Sequence, residues 1–69
     1  MTQIDRIIMW IDRHGSITAL DAMREFGVMR LASRINDMRA DGMEIESTLE
    51  TGLNSFGEKV KYSRYKWAQ

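Results

Sequence analysis

Thr18-Ala19-Leu20-Asp21-Ala22-Met23-Arg24-Glu25-Phe26-Gly27-Val28-Met29-Arg30-Leu31-Ala32-Ser33-Arg34-Ile35-Asn36-Asp37-Met38-Arg39-Ala40-Asp41-Gly42 is the stretch on which the fold turns. Thr18 is a residue type that caps helices, and Asp21, three positions on, stands where the reciprocal partner of a capping box sits. The spacing predicts a helix over 19–26. Its Ala19, Leu20, Met23 and Phe26 share one side, Asp21 and Glu25 the other, and Gly27 ends it. After Gly27-Val28, the residues Leu31, Ile35 and Met38 recur at intervals of four and three until Gly42, which predicts a further helix over about 29–41. At 100° per residue the outward face of that helix is Met29, Ser33, Asn36, Asp37 and Ala40, with Arg30 and Arg34 on one shoulder. Two short helices joined by a tight turn are the first expectation.

Working outward toward the amino end, Ile4, Ile7, Ile8 and Ile11 have the spacing of a helix that buries one face, over about 3–14. Thr2 can cap its start, Asp5 lies in the first turn where a carboxylate favours the helix dipole, and Gly15 supplies its end. Ser16-Ile17 allows no more than a single extended pairing. Toward the carboxyl end the period changes to two: Met43, Ile45, Ser47 and Leu49 alternate with Glu44, Glu46, Thr48 and Glu50, which predicts a strand with one buried face. Thr51 through Gly57 reads as a turn or short loop from its Gly, Asn and Ser content. Lys59 to Trp67 reads as the returning strand, with Tyr65 and Trp67 on one face to close the core against the first helix. The order helix, short strand, helix, helix, strand, strand is an α+β arrangement: a three-helix winged helix-turn-helix with a carboxyl-terminal two-stranded β-hairpin wing at about 50–61. The expected unit is one domain over 1–69.

Composition narrows the function. A chain of 69 residues, 43% hydrophobic, builds a small core and no roomy catalytic pocket. It has no Cys, which removes disulfides and thiolate metal sites, and no Pro. No apolar run approaches the ~20 residues of a membrane span, and no secretory signal pattern opens the chain, so the expected address is cytoplasmic. Ten Lys and Arg balance ten Asp and Glu. The balance hides an asymmetry. Between Asp41 and Glu58 every charge is negative, from Lys59 onward every charge is positive, and Arg30, Arg34 and Arg39 outnumber Asp37 in the third helical segment.

The residues also carry a resemblance. Gly15-Ser16-Ile17-Thr18, Phe26-Gly27-Val28, Leu31 through Arg39, Gly42-Met43-Glu44-Ile45 and Tyr65-Lys66-Trp67 resemble a family of small winged helix-turn-helix proteins common in phages and prophages. The likeness spans nearly the whole chain, and the block from Leu31 to Arg39 with Gly42 and Ile45 is its moderately specific part. It implies a DNA-binding transcription regulator of phage or prophage type, working in the cytoplasm of a bacterial host. Two positions depart from the broader pattern. Met23 stands four residues before Gly27, where a small Ala often lets the helices approach. Leu31 follows Gly27 by only four, which predicts a short turn.

A recognition helix reads base edges with Arg toward guanine and Asn toward adenine. The base-reading candidates are therefore Met29, Arg30, Ser33, Asn36 and Asp37. The backbone-contact candidates are Arg34 on the helix shoulder, Thr18 at the second helix's amino terminus, Asn54 and Ser55 at the wing tip, and Lys59 and Lys61 on the returning strand. Each has a plainer reading: Arg30 and Arg34 paired with carboxylates on a solvated surface, the lysines guarding an edge strand, Thr18 a hydrated cap. Asp12, His14 and Ser16 do not make a catalytic trio, because a His in the last turn of a helix complements the dipole and the chain lacks a substrate cavity. No catalytic residue, metal site, cofactor or small-molecule substrate is expected. The expected partner is double-stranded DNA. Met9, Trp10, Leu53 and Phe56, if exposed together, would favour a homodimer. The competing reading is a protein-interaction module or inhibitor on the same fold, which the overall neutrality, the acidic stretch and the apolar wing tip favour.

Overall fold

Thr2 and Thr18 begin the first two helices in the same way. In α1 (Gln3–His14) the Thr2 hydroxyl accepts the Asp5 N–H at 3.1 Å and the Asp5 carboxylate accepts the Thr2 N–H at 3.0 Å. In α2 (Ala19–Phe26) Thr18 and Asp21 repeat the exchange at 3.2 and 3.0 Å. Each box satisfies two amides that the helix itself leaves open. The Thr2 N–H, with its hydroxyl as the lesser cause, holds the Asp5 carboxyl below its ordinary value. Between the helices Ile17–Thr18 forms the short strand β1. The computed structural model describes residues 1–68, and in it α3 spans Leu31–Ala40, β2 spans Ile45–Leu53 and β3 spans Lys59–Trp67.

The third helix is shorter than its expected 29–41. Val28 donates its N–H to the Ala22 carbonyl at 3.1 Å, closing the end of α2, and its side chain is buried. The chain must then come back around before Leu31 can be buried in its turn. Met29 and Arg30 are spent on that return, and Arg30, at φ −131 and ψ 65, precedes the helix. At the far end Met43 donates to the Met38 carbonyl at 3.1 Å across Gly42, whose φ of 93 is the left-handed geometry glycine tolerates.

The core gathers Ile7, Ile11, Ile17, Ala22, Val28, Leu31, Ile35, Met38 and Ile45, with Ile4, Ile8, Trp10, Phe26, Met43, Tyr65 and Trp67 packed partly against it. Tyr65 and Trp67 do close it from the sheet side, and the Trp67 indole donates to Asp12 of α1 at 2.7 Å. Helix α2 is rotated from the expectation: Leu20 and Met23 are exposed, and Ala22 is the residue that is fully buried. The small residue that lets the helices approach is present, one position earlier than Met23. No helix among the described residues is long and apolar enough to cross a membrane.

The sheet has the order β1-β3-β2, antiparallel throughout. Ile17 lies opposite Tyr65 on one side of β3, and Ile45 opposite Trp67 on the other. Two expectations need correction. Strand β2 begins at Ile45 rather than Met43 and continues through Thr51, Gly52 and Leu53, so the loop is confined to the residues between Leu53 and Lys59. The strand's inward face is also not buried along its length: Ile45 is, but Leu49 is 67% exposed. The helices cover only the base of the hairpin, and the rest projects beyond them. From Ile45 to Leu53 the ribbon advances about 26 Å at about 3.3 Å per residue.

Candidate nucleic-acid interface

Helix α3 differs from its neighbours at its amino end. It has no side-chain cap and no acidic residue in its first turn, and Arg30 stands at that end with its carbonyl accepting the Ser33 N–H at 3.1 Å. The Arg30 side chain is exposed and takes no ion pair among the described residues. Met29 beside it is 76% exposed. Asn36 and Asp37 lie on the exposed side of α3, opposite the buried Leu31, Ile35 and Met38, while Ser33 and Arg34 are half-buried at its margins. Arg34 pairs with Asp37 at 3.3 Å, one turn along the same helix. Met29 and Arg30 therefore belong to the turn before the helix, and Ser33, Asn36 and Asp37 to the helix proper.

Arg39, which sequence reading counted only as charge, has a different task. Its Nε and one terminal nitrogen both donate to the Ile45 carbonyl, at 3.1 and 2.8 Å, and so fasten the end of α3 to the root of the wing. Thr18 is likewise committed to structure. It is 7% exposed, and its hydroxyl caps α2 beside the Asp21 carboxylate.

The wing sorts its charges by face. Residues opposite one another on antiparallel strands point the same way, and neighbours along a strand alternate. Leu49, Thr51 and Leu53 thus share a face with their partners Ser63, Lys61 and Lys59, and this is the face that carries Ile45, Tyr65 and Trp67 into the core. Glu46, Thr48, Glu50 and Gly52 share the other with Lys66, Arg64, Tyr62 and Val60. There the carboxylates are matched. Lys66 meets Glu46 at 3.4 Å, and Arg64 donates from Nε to Glu50 at 2.9 Å and from a terminal nitrogen to the Ser16 hydroxyl at 3.0 Å. The hydrogen bond between Arg64 and Glu50 holds the Glu50 carboxyl below its ordinary value and raises the Arg64 guanidinium. Lys59 and Lys61 have no such partners among the described residues.

At the tip, Asn54 is turned inward. Its side-chain oxygen accepts the N–H groups of Phe56 and Glu58 at 2.9 and 3.0 Å, and its amide donates to the Glu58 carboxylate at 3.1 Å. Ser55 is exposed next to it. The composition of the loop pointed to a turn, but not to which side chain would bind it together.

Asp12, His14 and Ser16 engage three different partners. Asp12 accepts from Trp67, the His14 ring lies 3.9 Å from the Trp10 ring, and Ser16 accepts from Arg64. Met9 and Trp10 line an open groove of about 750 Å³ with Met1, His14 and Phe26. Leu53 and Phe56 lie at the wing tip and are not part of that lining, so the four apolar residues do not form one patch.

Comparison with known proteins gives a single finding: a family model described as a winged helix-turn-helix domain matches residues 2–69. No curated protein and no solved structure matches the chain.

Proposed function

The chain belongs to the winged helix-turn-helix domain family, a fold that typically binds DNA and is typically not an enzyme, and from that premise we propose that it is a DNA-binding transcription regulator of phage or prophage type, its residues 1–69 acting as one domain in the bacterial cytoplasm. Helix α3 docks in the major groove and the wing lies on the sugar-phosphate backbone. The observation that carries this reading is the sorting of charge on the wing. Glu46 and Glu50 are neutralised on one face by Lys66 and Arg64, and Lys59 and Lys61 remain on the face that continues the core side of the sheet. Overall neutrality therefore does not oppose a phosphate backbone beside the two lysines, because Glu46 and Glu50 are matched on the far face of the hairpin.

On this reading Arg30 reads a guanine, Asn36 an adenine, and Asp37 accepts from a cytosine amino group, while Ser33 and Met29 make short-range contacts, Met29 with a thymine methyl. Arg34 exchanges Asp37 for a phosphate, a small cost since an exposed pair of this kind is worth about 0–1 kcal/mol. Lys59, Lys61 and Ser55 hold the backbone. Asn54 and Thr18 contribute by fixing the wing tip and the start of α2. A second copy would double a site that is weak in one small module, and Met9 and Trp10 in the groove offer apolar surface for it.

The test is a titration of random duplex into isotope-labelled protein at low salt, followed by chemical shift. Changes confined to Met29–Asp37 and the wing are expected. A spectrum that stays unchanged up to the solubility limit of the complex overturns the reading and transfers the fold to protein binding.

A further inference from the structure

Phe56 is the most exposed large hydrophobic side chain among the described residues, at 85%, and nothing in the core or the charge sorting accounts for it. Resting on the DNA-binding reading above, we propose that Phe56 is an apolar wedge that enters the minor groove beneath the wing and opens a base step, so that the protein bends the duplex it binds.

Three features at the wing tip carry this. The first is rigidity. Asn54 accepts the Phe56 N–H at 2.9 Å and the Glu58 N–H at 3.0 Å, its own N–H donates to the Glu58 carbonyl at 3.0 Å, and Gly57 closes the turn at φ 77 by donating to the Asn54 carbonyl at 3.0 Å. This bracing fixes where the Phe56 ring stands relative to the two strands. Ordering the loop in advance removes an entropic cost that insertion would otherwise carry.

The second is the placement of charge. Lys59 and Lys61 follow the tip along β3 on the same face as Leu53, two residues and about 6.6 Å apart, so that both can meet phosphates beside the groove the tip enters. The one carboxylate of the turn, Glu58, is drawn to the Asn54 amide at 3.1 Å.

The third is size. The minor groove is about 6 Å wide. A ribbon of two strands, about 4.8 Å apart before its side chains are added, does not fit inside it. A single aromatic ring does, since it needs only the carbon contact distance of about 3.5–4.0 Å on either face. The ribbon must therefore stay on the phosphates while the tip residue alone descends. Apolar side chains that part base steps in this way bend duplexes by about 20–90°.

The experiment uses the full chain and short duplexes recovered by selection from a random pool, labelled at their two ends with a donor and an acceptor dye. Wild-type protein is expected to shorten the end-to-end distance, and Phe56→Ala to bind within about tenfold of wild type while leaving the distance at that of free duplex. Because Phe56 packs against nothing in the core, the variant keeps its fold, which its thermal melt checks. In Phe56→Trp the added indole is expected to lose emission on binding as it stacks on bases. Equal shortening by wild type and Phe56→Ala, or binding by wild type without any shortening, overturns the wedge and leaves DNA binding standing. Absence of binding by wild type overturns both. Loss of self-association in Phe56→Ala with the bend unchanged also overturns it, assigning the ring to a protein contact.

Discussion

Arg64 joins Glu50 at 2.9 Å and Ser16 at 3.0 Å, so that one guanidinium ties the middle of the wing to the segment just before β1. The pair lies on the face of the hairpin opposite Lys59 and Lys61. It does two things at once: it anchors a ribbon that has little core beneath it, and it silences a carboxylate that would otherwise repel phosphate.

The pair makes stability depend on pH in a defined direction. The Arg64 hydrogen bond holds the Glu50 carboxyl below the ordinary 4.5, so the unfolded chain takes up a proton first as acid is added. The pair's contribution is complete above about pH 4.5 and is lost as the pH falls through the lower folded value. Glu50→Gln removes this titration. The melting temperatures of wild type and Glu50→Gln should therefore converge below pH 4.5 and separate above it, with wild type higher. Parallel profiles across pH 3–7 would reject the pairing.

The rotation of α2 yields a paired prediction. Ala22 is fully buried between the helices, whereas Met23 is exposed. Ala22→Leu should overpack the contact and cost about 1–3 kcal/mol in urea unfolding. Met23→Ala should stay within about 0.5 kcal/mol of wild type. The reverse ranking would restore Met23 to the helix contact that sequence spacing assigned it.

These two helices show what was legible and what was not. The capping residues Thr2 and Thr18, the glycines after each helix and the four-and-three rhythm of Leu31, Ile35 and Met38 are local signals, and they located α1 and α2 at their observed ends. What failed depends on neighbours distant in sequence. Which face of an eight-residue helix is buried is settled by what packs on it, and α2 buries Ala22 because α1 and α3 approach there. The alternation from Met43 to Leu49 correctly put Ile45, Ser47 and Leu49 on one face, yet it could not tell that the helices stop short and leave Leu49 in solvent. The candidate site residues were chosen by residue type alone. Its partners were not: no spacing joins Arg39 to the Ile45 carbonyl or Arg64 to Ser16 across forty-eight positions.

Arg39 is a strut rather than a contact. Its fork closes on one carbonyl at 3.1 and 2.8 Å, and Arg39→Ala should cost about 1.5 kcal/mol, the lower end for hydrogen bonds from a charged donor. Arg39→Lys keeps the charge but not the fork, and should recover little of that stability. Full recovery by Lys in urea unfolding would show that charge alone matters there.

The lysines of the wing are expected to act through phosphate. If Lys59 and Lys61 each displace a counterion, Lys59→Ala and Lys61→Ala should each flatten the slope of log K against log salt by about 0.9 on any duplex, and the double variant by about twice that. Stability should hardly change, since both side chains are exposed. An unchanged slope would make them guards of the strand edge and nothing more.

Arg30 should behave in the opposite way. It stands at the uncapped start of α3, exposed and without an ion pair among the described residues, where a guanidinium can reach a base edge without first giving up a partner. A fork on guanine is worth about 1–3 kcal/mol of discrimination, and a phosphate contact is worth the same on every sequence. Arg30→Ala should therefore weaken binding to a selected site by about 1–3 kcal/mol and barely alter binding to random duplex, with the salt slope preserved. Arg30→Lys separates the two roles further, because a point charge retains the phosphate contact but not the planar fork. Equal losses on selected and random DNA, with the slope reduced by about 0.9, would move Arg30 from base reading to the backbone.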